Sequence, residues 1–213
     1  MKILYEDNHL LVVEKPCNIP MQADSSGDPD LLSEAKAYIK EKYHKPGEVY
    51  LGLVHRLDRP VGGVCVFART SKAASRLSEA IRTHQFHKKY LAVVSDRDLP
   101  ESGTLEDRLL KDHRRNTTRV DEKGKPSALN YRVLKRKDGL ALVEIELLTG
   151  RSHQIRVQFS SRGWPLYGDQ RYNPAARAGQ QIALWSHELK FPHPVRTEEM
   201  IFRSENPVYP FTL

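Results

Sequence analysis

The chain has 213 residues, of which 39% are hydrophobic, and its 34 Lys and Arg outnumber its 27 Asp and Glu to give a net charge of +7. The apolar residues form short runs, so the composition excludes an intrinsically disordered chain and allows one domain, or one domain with two lobes, around a real core. No segment approaches the roughly 20 apolar residues that a transmembrane helix needs, and the N-terminus has no apolar signal-peptide region, so we expect a soluble, cytoplasmic protein.

The first part of the chain predicts short strands and two helices. Residues 3–5 and 10–14 are typical of two strands joined by a turn at Asp7 and Asn8. A helix is predicted over residues 30–43, with one apolar face formed by Leu31, Ala35, Tyr38 and Ile39. Residues 51–54 and 64–68 predict two further strands that flank a loop rich in Pro and Gly. We expect Ser71 to cap a second helix, whose apolar stripe is Ala74, Leu77, Ala80 and Ile81.

The second part of the chain is richer in strands. Residues 90–94 predict a strand, and several strand-like runs separated by charged turns follow between residues 103 and 137. Residues 140–148 alternate, with Ala141, Val143, Ile145 and Leu147 on one face. A helix is predicted from near Arg151 to before Gly163, and a late strand over residues 182–189. Because strands outnumber helices and seldom alternate with them, we predict an α+β fold with a mixed, mostly antiparallel sheet.

Cysteine and histidine usage gives no sign of a disulfide or a metal site. Cys17 and Cys65 are the only two cysteines, and they lie far apart without zinc-type spacing. His84 and His87 are three residues apart, but no carboxylate or cysteine cluster accompanies them. We therefore expect reduced thiols and no bound metal.

The excess of basic residues suits a polyanionic partner such as RNA. It includes short clusters at residues 88–89, 114–115 and 135–137. Each cluster has an equally good interpretation as a solvated strand end or loop, so charge alone does not establish nucleic-acid binding.

The segment of residues 55–63 is the most informative for chemistry. It places Asp58 between Arg56 and Arg59 on a turn that contains Pro60 and two glycines. A neighbouring arginine lowers the pKa of a carboxyl by about 1–3, which would keep Asp58 ionised and nucleophilic. The residues alone also allow a structural interpretation, in which an Asp–Arg pair simply braces the loop.

Six segments of the chain resemble, in the same order, the motifs of the RluA-type RNA pseudouridine synthase family. They are residues 5–16, 55–58 with the following 64–70, 88–94, 148–157, 165–169 and 191–194. Each short segment would be weak alone, but their order makes the resemblance specific. Two positions depart from the family pattern, since Gly62 lies where the family usually has Ser and Gln158 where it usually has His.

The resemblance implies one catalytic domain over residues 1–213, built on a mixed, mostly antiparallel sheet with flanking helices and a central RNA-binding cleft. It also implies that the reaction needs no metal or organic cofactor. The opening motif begins at Tyr5, so we expect no accessory RNA-binding domain ahead of the catalytic one. We further expect a monomer that binds neither a nucleotide cofactor nor a membrane.

The resemblance assigns the catalytic roles to three residues. Asp58 matches the family nucleophile, and a carboxylate can form a transient adduct at a glycosidic centre. Tyr90 matches the active-site tyrosine, whose ring would stack on uracil and whose hydroxyl could move a proton. Arg156 matches the arginine that pairs with the catalytic aspartate. Whether Asp58 attacks the sugar, attacks the base or assists an elimination stays open.

RNA contacts are expected from seven further residues. A uridine held in a stack must be extruded before chemistry, and Arg56 is the best candidate to fill the vacated place. His55 is expected mainly to shape the loop by hydrogen bonding, and His153 shares a helix side with Arg156 because the two are three residues apart. The expected RNA-binding set is Arg56, His55, Arg59, Lys88, Lys89, Arg151 and His153.

Two other functional classes fit parts of the sequence. A catalytically silent RNA-binding module, such as a ribosome assembly factor, would share the basic surface but tolerate loss of Asp58. A hydrolase would need a second acid–base carboxylate, and none stands out. Among substrates, ribosomal RNA is favoured and transfer RNA is the alternative.

Overall fold

Residues 1–205, 207 and 211 are described by the computed structural model, and they fall into two units. Unit 1 comprises residues 1–88 and 186–205, and unit 2 comprises residues 89–185 with the described residues near the C-terminus. The elements, in chain order, are β1 (Lys2–Glu6), β2 (Leu10–Lys15), α1 (Leu31–Lys42), β3 (Gly52–Leu53), β4 (Gly62–Ala68), α2 (Ser71–Arg82), β5 (His87–Ser95), β6 (Ser102–Asp112), β7 (Thr117–Val120), β8 (Lys125–Lys137), β9 (Leu140–Leu147), α3 (Gln154–Ser160), β10 (Leu184–Pro192) and β11 (Glu199–Arg203).

The sheet of unit 1 has the strand order β1, β2, β4, β10 and β11, and the short β3 also pairs with β4. The pairs β1–β2, β2–β4, β3–β4 and β10–β11 are antiparallel. Every residue of β4 is buried, and its side chains pack with Leu77 of α2 and with Phe191 of β10 in one hydrophobic cluster. The rings of Phe86 and Phe191 stack at 4.9 Å between centroids, so the segment that follows α2 packs on the sheet by aromatic contact.

Both helices of unit 1 begin at a side-chain cap. The Asp30 carboxylate accepts a hydrogen bond from the Ser33 backbone N–H at 3.0 Å at the start of α1. The Thr70 hydroxyl accepts one from the Ala73 N–H at 3.1 Å at the start of α2. The prediction that Ser71 caps α2 is therefore wrong by one residue, because Thr70 has the extended backbone that a cap requires. The buried face of α2 accordingly includes Ala73, where Ala74 was expected.

Unit 2 contains an antiparallel sheet with the strand order β5, β9, β8, β6 and β7. The strand-like region between residues 103 and 137 resolves into β6, β7 and β8. In β9 the alternation predicts the buried side chains correctly at Ala141, Val143 and Ile145, each with 0% exposure. A second cluster of apolar residues packs around Val93 and Ala183.

The helix of unit 2 is shorter than the sequence predicts. It begins at Gln154 because His153 adopts a left-handed backbone with φ 54°, and it ends at Ser160. The strand β11 was not predicted, since its charged and apolar residues show no clear strand signal. In the part of the chain that the structure describes, no helix is long and apolar enough to cross a membrane.

Candidate active site

Asp58 lies on the loop between β3 and β4 in unit 1, and its side chain is half-buried. The preceding Leu57 is 5% exposed and anchors the loop in the core. The backbone N–H of Val61 donates to the carbonyl of Asp58 at 3.0 Å, which closes a turn just before β4. Asp58 is thus preceded by a buried residue and followed by a turn that its own carbonyl closes, so the backbone is held on both sides.

Lys15, at the end of β2, lies beneath this loop with 0% exposure. Its ammonium donates to the carbonyls of Pro16 and Arg59, both at 3.0 Å. Burial lowers the pKa of Lys15 to about 8, while the nearby Cys65, Cys17 and Asp58 act in the opposite direction. The contact to the Arg59 carbonyl fixes the backbone directly after Asp58. Lys15 belongs to the opening motif at residues 5–16, but no role was predicted for it from the sequence.

The arginine that follows Asp58 is directed towards an earlier loop. The guanidinium of Arg59 contacts the Asp28 carboxylate, donates to the Ser26 hydroxyl at 3.1 Å and lies 3.8 Å from an Asp24 carboxylate oxygen. Arg59 therefore braces the loop against residues 24–28, in addition to any contact with RNA. Arg56, on the other side of Asp58, is exposed, as the role proposed for it requires.

His55 braces the same loop from inside unit 1. Its Nε2 accepts a hydrogen bond from the Val66 backbone N–H at 3.1 Å, and its ring lies 5.6 Å from that of Phe86. Burial lowers the pKa of His55 to about 3, and the charge of Lys88 acts in the same direction. The imidazole is therefore neutral, and its contacts are those of a loop-shaping residue.

The start of β4 requires glycine at position 63. Gly63 has φ +112°, and a Cβ there would lie 2.2 Å from the carbonyl oxygen of Ser186. The Ser186 hydroxyl donates to the Val64 carbonyl at 2.9 Å. Gly62, one of the two departures from the family pattern, opens β4 and is buried. The close approach of β4 and β10 thus fixes where the Asp58 loop ends.

Tyr90 lies in β5 of unit 2, opposite Ile145 of β9, and is 6% exposed. Lys88 and Lys89 precede it on the same strand and are half-buried. Burial lowers the pKa of Lys88. The strand thus places one aromatic ring and two cationic side chains on consecutive residues.

Arg156 lies in α3 and is 6% exposed. Its Nε and Nη2 donate to the two carboxylate oxygens of Asp169, each at 2.8 Å. The Tyr172 ring covers one face of the guanidinium, with 5.1 Å between Cζ and the ring centroid. Asp169 lies in a segment that resembles a family motif. The sequence nevertheless predicts no role for it or for Tyr172, because no periodicity links Arg156 to positions 13 and 16 residues away.

The other predicted residues of unit 2 make local contacts. His153 Nδ1 and the Tyr172 hydroxyl lie 2.7 Å apart, so His153 and Arg156 do share a neighbour. Arg151 is exposed, and its Nε donates to the Pro126 carbonyl at 3.0 Å. The second departure from the family pattern, Gln158, is buried and donates to the Leu105 carbonyl at 3.1 Å and to Asp107 at 2.8 Å. Gln158 thus contributes to helix packing.

The structure therefore groups the predicted residues within each unit. Unit 1 brings His55, Arg56, Asp58 and Arg59 onto one braced loop, and unit 2 places Arg156 beside His153 around Tyr172. The convergence of Asp58 with Tyr90 and Arg156 stays a prediction. Within residues 1–205, 207 and 211, no cluster of three or more His, Cys, Asp or Glu is arranged to hold a metal ion.

Comparison with known sequences gives a consistent result. A family model described as RNA pseudouridylate synthase matches residues 9–161. The chain is 33% identical over 205 residues to the uncharacterized RNA pseudouridine synthase YhcT of Bacillus subtilis, covering 94% of this chain and 67% of that protein. It is 32% identical over 208 residues to ribosomal large subunit pseudouridine synthase C of Haemophilus ducreyi, covering 93% and 63%. For ribosomal large subunit pseudouridine synthase D of Xylella fastidiosa the identity is 33%, and the coverage 92% and 63%.

Two solved structures share the fold. Human RNA pseudouridylate synthase domain containing 4 superposes with a TM-score of 0.82 at 24% identity, covering 99% of this chain and 90% of that one. Human RNA pseudouridylate synthase domain containing 1 gives a TM-score of 0.76 at 24% identity, covering 98% and 84%. These likenesses confirm the predicted α+β fold class.

Proposed function

Because the chain belongs to the RNA pseudouridylate synthase family, whose members are isomerases that convert uridine in RNA to pseudouridine, we propose that it modifies specific uridines in structured RNA with Asp58 as its nucleophile. The observation that carries this proposal is the match over residues 9–161, which contains Asp58, Tyr90 and Arg156 together. The braced Asp58 loop supports it, since a nucleophile needs a fixed backbone and an accessible side chain.

The reaction breaks the bond between N1 of uracil and C1′ of ribose, turns the base, forms a bond between C5 and C1′, and releases the proton from C5. Asp58 supplies the carboxylate at this centre. Tyr90 holds the detached base by stacking or moves a proton. Arg156 is assigned, from the resemblance, as the charged partner of this carboxylate, since a guanidinium matches a carboxylate in geometry.

We propose ribosomal RNA as the substrate and transfer RNA as the alternative. The support is that two relatives bear the name ribosomal large subunit pseudouridine synthase. The net charge of +7 supplies the attraction to phosphate. We assign the contacts to RNA to Arg56, His55, Arg59, Lys88, Lys89, Arg151 and His153. We also propose that the protein works in the cytoplasm as a monomer.

The test is release of tritium from RNA labelled at C5 of uridine, with unmodified large-subunit ribosomal RNA and unmodified transfer RNA as separate substrates. Asp58→Asn should abolish release while RNA affinity and thermal stability stay nearly unchanged. Glu48→Gln is the matched control, because Glu48 is an exposed carboxylate of the same unit and its loss makes the same change in charge. Turnover by Asp58→Asn within tenfold of wild type would contradict the assignment. Wild-type binding without release would indicate a silent RNA-binding module.

A further inference from the structure

The end of β6 and the strand β7 form a two-stranded hairpin in unit 2, and residues 113–116 are its turn. Asp112 pairs with Thr117 at the base of the turn. The Asp112 carboxylate accepts hydrogen bonds from the backbone N–H groups of Arg114 at 2.9 Å and Arg115 at 3.1 Å. The bond from Arg115 contributes most to lowering the pKa of Asp112, and the charge of Arg115 adds to it. The carboxylate is therefore ionised at neutral pH and holds the turn in one conformation.

A loop that follows α3 anchors this hairpin from outside. The guanidinium of Arg171 donates from Nη1 to the Arg115 carbonyl at 3.3 Å, across a separation of 56 residues, and also to the Asn116 carbonyl. The backbone N–H of Thr118 donates to the Tyr172 hydroxyl at 2.8 Å. The turn is thus fixed by contacts to its backbone, while the side chains of its two arginines are not used to hold it.

Three exposed arginines meet at this turn, and we call them the basic tip: Arg114, Arg115 and Arg171. In the part of the chain that the structure describes, none of the three forms a salt bridge, and Arg171 donates to neutral carbonyls instead. Other arginines of unit 2 do pair with carboxylates, namely Arg119, Arg136 and Arg162. Like charges brought together repel one another, so an anion bound against the basic tip is stabilised.

The basic tip lies at a distance from Arg156 within the same unit. Thr118 contacts the Tyr172 hydroxyl, and the Tyr172 ring centroid lies 5.1 Å from Cζ of Arg156. From Thr118 to Arg115 the chain advances by three residues, or about 10 Å along an extended strand. Nucleotides in a stacked strand follow one another at about 3.4 Å, so this length corresponds to about three nucleotides. A phosphate bound at the basic tip therefore belongs to a different nucleotide from the one beside Arg156.

We propose that the basic tip binds phosphates of the substrate RNA that flank the modified uridine. The proposal rests on the proposed function, since it takes structured RNA as the substrate. A guanidinium matches the geometry of phosphate oxygens, and contacts to phosphate set affinity and register without reading sequence. The basic tip lies outside the set of RNA contacts assigned from the family motifs. The sequence shows Arg114 and Arg115 as a basic cluster, and the structure adds Arg171 to it.

The experiment is filter binding of an unmodified large-subunit ribosomal RNA transcript at a series of KCl concentrations. The variant Arg114→Gln with Arg115→Gln removes two phosphate contacts, so the slope of log affinity against log salt should become shallower by about 1.4–1.8. The affinity should be about 25- to 60-fold lower at about 0.1 M KCl, and the deficit should vanish near about 1 M. The variant Arg114→Lys with Arg115→Lys keeps both charges and should keep the wild-type slope, because lysine also neutralises phosphate.

The matched control removes two charges at the opposite end of the same sheet. Arg97 and Lys137 are exposed residues near the turn between β8 and β9, where the Asp96 N–H donates to the Gly139 carbonyl at 2.9 Å. The strand β6 has 11 residues and spans about 35 Å between that end and the hairpin turn. This exceeds the screening length of about 10 Å at 0.1 M salt. Arg97→Gln with Lys137→Gln should therefore leave the affinity within about twofold of wild type.

Each outcome decides between the alternatives. An unchanged slope in the glutamine variant of the basic tip, or an equal loss of affinity in the control, would overturn the proposal, because net charge rather than the basic tip would then account for binding. If the glutamine variant binds protein-free RNA like wild type but loses affinity for whole large ribosomal subunits, the partner is a protein and the proposal is wrong. Tritium release by the wild type is measured in parallel. Absence of release would overturn the proposed function, while the RNA contact of the basic tip would stand on the binding data.

Discussion

Replacing Arg156 by methionine would leave the Asp169 carboxylate buried without its ion-pair partner. The side chains of Arg156 and Asp169 are 7% and 0% exposed, so water cannot take the place of the guanidinium. Removal of one partner of a buried pair costs about 3–5 kcal/mol, because an uncompensated charge remains. Two backbone N–H groups still donate to Asp169, so we expect the lower end, about 3 kcal/mol. For a chain of this length that lowers Tm by about 6–12 °C.

The assay is thermal and urea unfolding near neutral pH of the wild type, Arg156→Met, the double variant of Arg156→Met with Asp169→Asn, and the control Arg162→Met. Arg156→Met paired with Asp169→Asn should recover more than half of the lost stability, because the second change removes the charge. The control is Arg162→Met, whose partner Asp107 is 13% exposed and whose guanidinium is 28% exposed, so it should cost about 1 kcal/mol or less. A double variant no more stable than Arg156→Met would refute the reasoning.

Three further predictions concern other parts of the molecule. Burial raises the pKa of the Asp7 carboxyl, but hydrogen bonds from the His9 backbone and from His193, among others, outweigh burial and hold the pKa at about 2. Asp7→Asn should therefore lower the free energy of unfolding by roughly 2 kcal/mol above pH 4. Urea titrations should show this deficit vanishing as pH falls towards 2, because a carboxyl with a depressed folded-state pKa stops stabilising the fold there. Asp138→Asn, at an exposed turn, should cost less than about 0.5 kcal/mol. If the Tyr90 ring only stacks on the base, Tyr90→Phe should keep the wild-type rate of tritium release, and Tyr90→Ala should lose about 1–3 kcal/mol of base binding. If the Tyr90 hydroxyl moves a proton, the Tyr90→Phe variant should be at least about 100-fold slower. Wild-type activity in both variants would exclude Tyr90 from the site. RNA affinity should fall log-linearly with salt, with a slope of about −0.7 to −0.9 per neutralised phosphate, and a flat response in filter binding would exclude a phosphate-binding surface.

The fold class and most elements could be predicted because local patterns determine them. The predicted faces of β9 and α1 match the buried residues, except that Leu147 and Tyr38 are half-buried. The start of α3 could not be predicted, because it depends on the left-handed backbone of His153, which no local pattern reveals. The cap of α2 was misplaced because adjacent Thr70 and Ser71 have equivalent side chains, and only the backbone angles distinguish them.

The site was predictable at the level of motifs but not of contacts. The resemblance supplied Asp58, Tyr90 and Arg156, yet Lys15 and Asp169 act through long-range contacts that spacing does not encode. Lys15 reaches a carbonyl 44 residues away. The side chain of Arg59 was expected to contact RNA, and pairing with its neighbour Asp58 was the alternative. It contacts residues 24–28, since chain proximity does not determine which carboxylate a long side chain meets.

Unit 1 is formed by two separate stretches of the chain, and this affects the order in which the parts of the protein fold during synthesis. The His193 imidazole donates from Nε2 to Asp7 at 2.8 Å across a separation of 186 residues, and β10 supplies the strand beside β4. During synthesis, residues 1–88 emerge first but lack β10 and β11, whereas residues 89–185 contain every strand of the unit 2 sheet and lack only C-terminal residues such as Phe211, which packs in the cluster around Val93. Closing so long a loop carries an entropic cost that contiguous segments avoid. We therefore expect nascent chains ending near residue 185 to protect the antiparallel sheet of unit 2 from protease before the N-terminal strands, although those strands are synthesised earlier.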